Sequence, residues 1–491
     1  MCPKIPNCLL HLSIGLLLIC PFQLKAQSGN PQKDTEVPTI EDAKVFRDAM
    51  IFFREGEALI GTDKENSEEQ AALFQKALEI KPDFLEAHYN LGLIYYRQEK
   101  MKEAVGEFEA VLKLDPKYDE GIHFILASAY QEAGNQPQAI QALERGLQLK
   151  PGDLKMLKAV AYLQSRNNLN QAAIQNYQKI LEIEPTDIAS RIELALLFQK
   201  NGDMETAAGH YREVLRSDPR NFVAYFNLGL IYNSQKKNDE AIAALETANQ
   251  ITPGNARLLE KLGDIYALRQ QHAKAESCYK AALKNASDQS VILAKLGFSL
   301  INQNRSEEAV AALQQSTQLN PKNPDYFFML GNLYNDLKRS DEAITAYKRS
   351  LELNPEQKDV RNNLGTLYAE KEMLNESLSE LKAAVQLDPA YASAWANLAL
   401  VEEKMNLDEE AINSYNKVIE LGDARTMDYM RLGFLYAKNN TPEPAIDAFS
   451  KAIQLDPEKC RTILKEELKN VHSVLDSVRY KKEFRTLLAL P

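Results

Sequence analysis

Four asparagines carry the plainest chemistry in this chain. Asn90, Asn227, Asn363 and Asn397 each stand directly before a Leu-Gly or Leu-Ala pair, at one place of a recurring pattern. A side-chain amide donates and accepts hydrogen bonds at once, so a row of them can hold an extended peptide backbone without reading its side chains. The alternative is a set of solvated amides, since only Asn363 and Asn397 lie in consecutive copies. Tyr89, Phe124, Phe226 and Phe328 fall one residue before that place in their own copies. Aromatic rings on a groove anchor a partner, and between helices they pack a core. The spacing fits either use.

No catalytic signature accompanies these residues. The sequence has no Gly-rich phosphate loop, no helical pair of zinc-binding histidines and no two-cysteine knuckle. His88, His123, His210, His272 and His472 lie in different copies, none with a cysteine or second histidine at ligand spacing. His88 and His123 take a place usually filled by a bulky residue, which reads as partial burial between helices. Cys2, Cys8 and Cys20 fall near the N-terminus, leaving Cys278 and Cys460. Those two are more than five copies apart, about 50 Å at roughly 10 Å per stacked copy, beyond disulfide reach. No enzyme activity, catalytic residue, metal or cofactor is expected. A formal net charge of -11 argues against nucleic acid as the main partner, because phosphate neutralisation needs a basic face.

The elements that hold these residues follow from a period. Pro82, Pro116, Pro151, Pro185, Pro219, Pro253, Pro321, Pro355, Pro389 and Pro457 keep a step of 34 residues, once 35, and the two skipped steps land on Ser287 and Asp423. A fixed period of this length marks stacked supersecondary units. In the unit opening at Phe222, Leu228 and Tyr232 put apolar groups on one helical face, and a polar turn follows over Lys236-Lys237-Asn238-Asp239. Asn238 is expected to cap the next helix, with Asp239 and Glu240 in its first turn. Ala241, Leu245 and Ala248 mark that helix's buried stripe, and Pro253 stops it. One helical pair cannot bury its own apolar face, so the pairs must stack.

Five well-formed copies show the motif: Leu91, Gly92, Tyr95, Ala104, Phe108, Pro116; Leu228, Gly229, Tyr232, Ala241, Leu245, Ala248, Pro253; Leu262, Gly263, Tyr266, Ala275, Tyr279, Ala282; Leu330, Gly331, Tyr334, Ala343, Tyr347, Pro355; and Leu432, Gly433, Tyr436, Ala445, Phe449, Ala452, Pro457. The pattern resembles the tetratricopeptide repeat family. Trp395, the one tryptophan, sits where that family often places one. The unit opening at Leu154 departs from it, with Val160, Ala161 and Gln164, and the first unit has a longer turn after Gly56. The resemblance implies an all-α, right-handed superhelical solenoid of helix-turn-helix repeats whose first helices line a concave, partner-binding face. It also implies that the asparagine row is similar to the ladder of some superhelical members. A chaperone-tail clamp is not implied, because no unit pairs Lys and Asn four residues apart at the matching places: Tyr162 stands four residues after Lys158, and Phe328 four before Asn332.

Residues 1–26 read as a signal peptide, or as an anchor if uncleaved: Lys4, an apolar run from Leu9 to Phe22, then Leu24-Lys25-Ala26. Residues 27–40 read as a flexible linker, 41–459 as about twelve repeats and 460–491 as a capping helix, with Ile463, Leu464, Leu468, Val471, Val474 and Leu475 as its apolar stripe. Residues 479–485 are locally basic and read as a solvated face or a contact with anionic lipid. The expected protein is an exported, periplasmic or extracellular scaffold for protein or peptide ligands. The alternative is a regulatory or targeting subunit of a separate enzyme or envelope complex.

Overall fold

A computed structural model describes residues 39–470, 473–479 and 481–488. The leader, most of the linker, Val471, His472 and Tyr480 lie outside the described residues. The chain divides into two compact units, one ending at Gln235 and one beginning at Lys236.

The first unit pairs Ile40–Glu57 with Glu68–Ile80, Leu85–Arg97 with Met101–Leu114, Glu120–Glu132 with Gln136–Leu149, Leu154–Arg166 with Asn170–Ile183, and Ile188–Lys200 with Met204–Ser217; Phe222–Ser234 follows. The second opens with Asn238–Ile251. It then pairs Ala256–Leu268 with His272–Leu283, Gln289–Ile301 with Ser306–Leu319, Pro324–Asp336 with Ser340–Leu353, Lys358–Glu370 with Leu374–Leu387, Ala392–Lys404 with Asp408–Glu420, and Thr426–Lys438 with Pro442–Leu455. Pro457–Glu467 and Lys482–Leu487 close it. Within a unit, each second helix packs on the first helix of the next pair, which makes each unit a helical repeat stack. Among the described residues there is no strand, and no helix is long and apolar enough to cross a membrane.

The two helices of a pair begin by different means. Most first helices take side-chain caps just after the periodic position: Asp153, Asp187, Asn221, Asn255 and Asn323 accept from backbone N–H groups of the first turn. Second helices mostly have none. Their turns are closed by backbone. Glu99, Asn168, Gln270, Asn304, Lys338, Glu372, Asn406 and Asn440 adopt positive φ, as do Gly134 and Gly202 at the same place. The following amide then bonds back across the turn, as in Lys100 N to Tyr95 O at 2.9 Å and Arg339 N to Tyr334 O at 2.9 Å. This is a left-handed helix stop joined directly to a helix start. It corrects the expectation for Asn238. That residue is the first of its helix, its Oδ1 is buried without a partner, and the cap position belongs to Lys237, whose side chain makes no capping bond.

The core is built from a glycine on the first helix under a large residue on the second. Phe108, Tyr279, Tyr347 and Phe449 are buried over Gly92, Gly263, Gly331 and Gly433. A Cβ on those glycines would stand 2.7, 2.6, 2.6 and 2.5 Å from the ring, closer than carbon atoms pack. Ala104, Ala275, Ala343 and Ala445 are fully buried in the same pairs. Polar seams join neighbouring pairs: Gln75 Nε2 donates to Tyr95 Oη at 2.5 Å, Gln314 Nε2 to Tyr334 Oη at 2.8 Å and Asn416 Nδ2 to Tyr436 Oη at 3.2 Å, while Tyr130 donates to Glu109.

At the C-terminal end, Cys460, Leu464, Leu475, Val478, Phe484 and Leu488 are buried against Phe449, Ala452 and Ile453. The helix expected at 460 starts at Pro457, which takes the first-turn position where its missing N–H costs nothing. Val474, expected on the apolar stripe, is exposed because residues 474–479 form turns instead of extending the helix.

One buried group runs against the pattern. Glu402 occupies the place held by Tyr334, Tyr368 and Tyr436 in other repeats and is buried, with Ser414 Oγ donating to its Oε2 at 2.7 Å. Burial pushes its carboxyl above the usual range, against the Ser414 hydrogen bond and the pull of Lys382. A raised folded-state value means that Glu402 favours folding below the ordinary carboxylate range and loses that contribution as pH rises through its own titration. Glu402→Gln should therefore unfold at higher temperature than the parent near neutral pH, by roughly 1 kcal/mol, with the difference vanishing near about pH 4. Thermal melts at the two pH values check this.

Candidate functional site

The predicted asparagines divide between the two units. In the first, Asn90 Nδ2 donates to Glu86 O at 3.0 Å and Asn227 Nδ2 to Val223 O at 2.8 Å, both on their own helix. In the second, the amides bond across adjacent first helices. Asn363 Nδ2 donates to Asn332 Oδ1 at 3.0 Å, which also accepts from Tyr347 Oη at 2.8 Å. Asn397 Nδ2 donates to Asn362 Oδ1 at 2.9 Å and to Thr366 Oγ1 at 3.2 Å. Asn362 Nδ2 lies 3.4 Å from Asn363 Oδ1. Each predicted amide donor is thus already engaged by the protein. Asn332 Nδ2 and Asn397 Oδ1 remain unbonded among the described residues, one donor and one acceptor on half-buried side chains.

Asn332, Asn362 and Thr366 belong to this network and were missed from sequence. Asn332 and Thr366 stand one helical turn after the asparagine place and Asn362 one residue before it. The available signal was the 3.6-residue period, which puts i and i+3 side by side on a helix.

Charged versions of the same rung flank the amides. Lys295, at the asparagine place of its repeat, donates to Glu260 at 2.6 Å and Asp264 at 2.8 Å. Burial pulls this ammonium down, but the bonds to Asp264 and Glu260 outweigh it and hold it above the usual lysine range. Tyr279 Oη donates to Asp264 Oδ1 at 3.0 Å. On the other side Arg431 Nη1 reaches both oxygens of Glu403 at 3.1 Å, and Tyr415 Oη donates to Glu403 Oε2 at 3.1 Å. The first helices of the second unit therefore carry neutral amides between two neutralised ion pairs.

The predicted aromatics are occupied in packing. Tyr89 meets Phe108 and Tyr118 with ring centroids 6.3 and 5.6 Å apart. Phe124 packs half-buried against the core of the first pairs. Phe226 is buried and stacks on Phe222 at 5.8 Å, and Phe328 lies 6.2 Å from Tyr347. Apart from Phe46 on the first helix of the array, the first-helix aromatics that stay open among the described residues are Tyr162, 44 % exposed, and Phe298, 49 % exposed. Tyr162 and Phe298 stand one turn after the asparagine place, a position not singled out from sequence.

The histidines are scattered. His88 pairs with Glu107, His123 is buried, His210 stacks on Phe198 with centroids 5.5 Å apart, and His272 meets the edge of Phe298. Cys278 and Cys460 are buried and unpaired, and burial pushes the Cys278 thiol up to about 11. Among the described residues no three His, Cys, Asp or Glu side chains gather as a metal site.

Tetratricopeptide repeat profiles match residues 192–256 and 295–358, residues 85–118, and residues 256–289, 359–391, 392–421 and 429–459. A TPR repeat profile matches residues 63–99. The chain carries tetratricopeptide repeats. Arrays of this kind form extended binding surfaces from their stacked units, and the array is a protein-interaction scaffold in that general sense. No curated protein matches the chain significantly. Among solved structures, YrrB, described as a TPR protein with an unusual peptide-binding site, is 21% identical, covering 38% of this chain and 96% of its own at a TM-score of 0.35. The Naa15/Naa10 structure bound to HypK-THB is 16% identical, covering 84% of this chain and 68% of its own at 0.39. PilF of Pseudomonas aeruginosa is 18% identical, covering 42% of this chain and 94% of its own at 0.37.

Proposed function

We propose that this tetratricopeptide repeat chain is a non-catalytic adaptor that grips a peptide segment of a partner protein by its main chain. The first-helix face of the second unit, between Lys295 and Arg431, is the gripping surface. One observation carries the reading: the cross-helix bonds of Asn363 and Asn397 fix Asn332 Nδ2 as a donor and Asn397 Oδ1 as an acceptor, two repeats or about 20 Å apart, so that separate peptide groups of one extended segment can meet them. The flanking charges are already neutralised by Glu260, Asp264 and Glu403, which favours an uncharged ligand backbone over a charged side chain. Asn90, Asn227, Tyr89, Phe124, Phe226 and Phe328 add contact area at most, because the two amides bond within their own helices and the rings are taken up in packing.

The leader read in residues 1–26 makes this an exported protein, periplasmic or extracellular, held at the membrane if the leader stays. A regulatory or targeting subunit of a separate enzyme or envelope complex uses the same face and differs in having one fixed partner.

The test is capture of partners by the tagged, full-length protein, quantified by mass spectrometry and followed by affinity measurement on the leading captured peptide. Asn332→Ala with Asn397→Ala should weaken binding about 10- to 30-fold, the loss of two hydrogen bonds of about 1 kcal/mol each, with helicity unchanged. Equal affinity in the double variant removes the main-chain reading. A single partner at fixed stoichiometry, whose activity falls when this chain is removed, selects the subunit reading.

A further inference from the structure

Near the start of four first helices, a side-chain N–H reaches back to the carbonyl of the preceding turn proline. His88 Nε2 lies 2.9 Å from Pro82 O, Arg191 Nη2 2.5 Å from Pro185 O, Arg361 Nε 3.0 Å from Pro355 O and Trp395 Nε1 3.0 Å from Pro389 O. Two of these side chains make a second bond, to a glutamate on the second helix of their own pair. Arg361 Nη1 donates to Glu380 Oε2 at 2.6 Å, and His88 Nδ1 lies 2.6 Å from Glu107 Oε2. Glu107 stands in the same register to His88 as Glu380 does to Arg361. The two sites are one clasp built with different cations.

The difference matters because arginine is a donor at every nitrogen and at every working pH, while a neutral imidazole has a single N–H. A carbonyl and an ionised carboxylate only accept. His88 makes both bonds as imidazolium alone. We propose that His88 is a protonation-gated form of the Arg361 clasp, tying helix Leu85–Arg97 to the Pro82 turn and to helix Met101–Leu114 when charged and releasing one of them when neutral. The groups facing the ring are Glu107 from the second helix, with Asp83 and the Pro82 carbonyl from the turn. Its side chain is 16% exposed and that of Glu107 22%, so solvent screens the pair only in part. The Glu107 hydrogen bond raises the His88 titration above the usual histidine value, against burial and with help from the Pro82 carbonyl. The clasp's contribution is therefore complete below the ordinary histidine range and lost as pH rises through the raised value.

One repeat on, the same place holds His123, 4% exposed and with neither ring nitrogen bonded. Arg145 faces it from helix Gln136–Leu149 and Asp119 from the start of its own helix. Burial first, then Arg145, lower its titration. It rests neutral, and its sign is opposite: stability is complete above the ordinary histidine range and lost as pH falls below it. Consecutive pairs of the first unit are thus loosened from opposite ends of the pH scale.

The experiment uses the full chain with 15N-labelled histidine and amide hydrogen exchange, between about pH 6 and about pH 8.5, a span that brackets an ordinary or raised histidine. Both His88 nitrogens should carry protons at about pH 6. Exchange protection within residues 82–114, corrected for intrinsic rates, should fall about tenfold or more at the upper pH, as expected for losing one charge-assisted hydrogen bond. Residues 355–387, held by Arg361, should not change, and His88→Arg should make residues 82–114 behave like them. If His88→Arg does not fold, His88→Gln should show the low protection at every pH. A neutral His88 ring at about pH 6, flat protection in the parent, or an equal fall in His88→Arg overturns the proposal.

Discussion

Phe449→Ala is expected to lower the unfolding free energy by about 3–5 kcal/mol and to release the C-terminal helices in the same step. The ring is fully buried. It lies over Gly433, packs edge-on to Phe434 with centroids 5.3 Å apart, and meets Phe484 at 5.6 Å. Gly433 has no side chain with which to refill the space, so the cavity stays open and its cost adds to the lost transfer energy. Phe484 belongs to the last helix and touches the repeat stack through this ring. Denaturant titration reports the energy, and hydrogen exchange over residues 457–488 reports the release. Loss of stability with that segment still protected would show that Leu464 and Val478 hold the cap without the ring. A loss under about 1 kcal/mol would contradict the packing described.

The second large effect has the opposite sign. Replacing Glu99, Gln270, Lys338 and Glu372 together with glycine should stabilise the chain by about 2–4 kcal/mol. Each sits at a φ near +60°, where an L side chain meets the following carbonyl at a cost of about 1–2 kcal/mol. Glycine escapes that clash but loses about 0.5–1 kcal/mol of chain entropy, leaving a net gain at each turn. Gly134 and Gly202 already occupy the equivalent place, so the turn accepts the residue. Asn168, Asn304, Asn406 and Asn440 are left alone because asparagine tolerates this region. In a repeat stack such local gains nearly add. The urea midpoint should rise with unchanged slope, and an unchanged or lowered midpoint would show that these turns carry no strain.

Much of this architecture is legible in the chain itself, because the packing rule is local and repeated. Leu91, Gly92, Tyr95, Ala104 and Phe108 name the helical pair, its closest approach and its core ring, and the structure places them in those roles. Asn238 shows where the reading stops. A polar residue between two helices looks like a cap, yet these turns close through the backbone, and Glu, Gln, Lys, Asn and Gly all occupy the critical position. No residue type announces such a turn. For the candidate site, the place of the asparagine row was readable, but its hydrogen bonding depends on Asn332, Asn362 and Thr366 from neighbouring helices. Those pairings appear only when adjacent repeats are set side by side. The same holds for His88, whose likeness to Arg361 rests on two acceptors that lie apart from it in sequence.

The polar seams between repeats are not all of one chemistry. Gln75 meets Tyr95, Glu109 meets Tyr130, Gln164 donates to Glu144, and Lys382 faces Glu402. A whole period added or deleted would leave every hydrophobic layer intact and still bring a wrong pair together, for example Lys382 against Tyr436. The order of the modules is therefore written in part into their edges: junctions of one chemistry could trade places, while those of different chemistry could not.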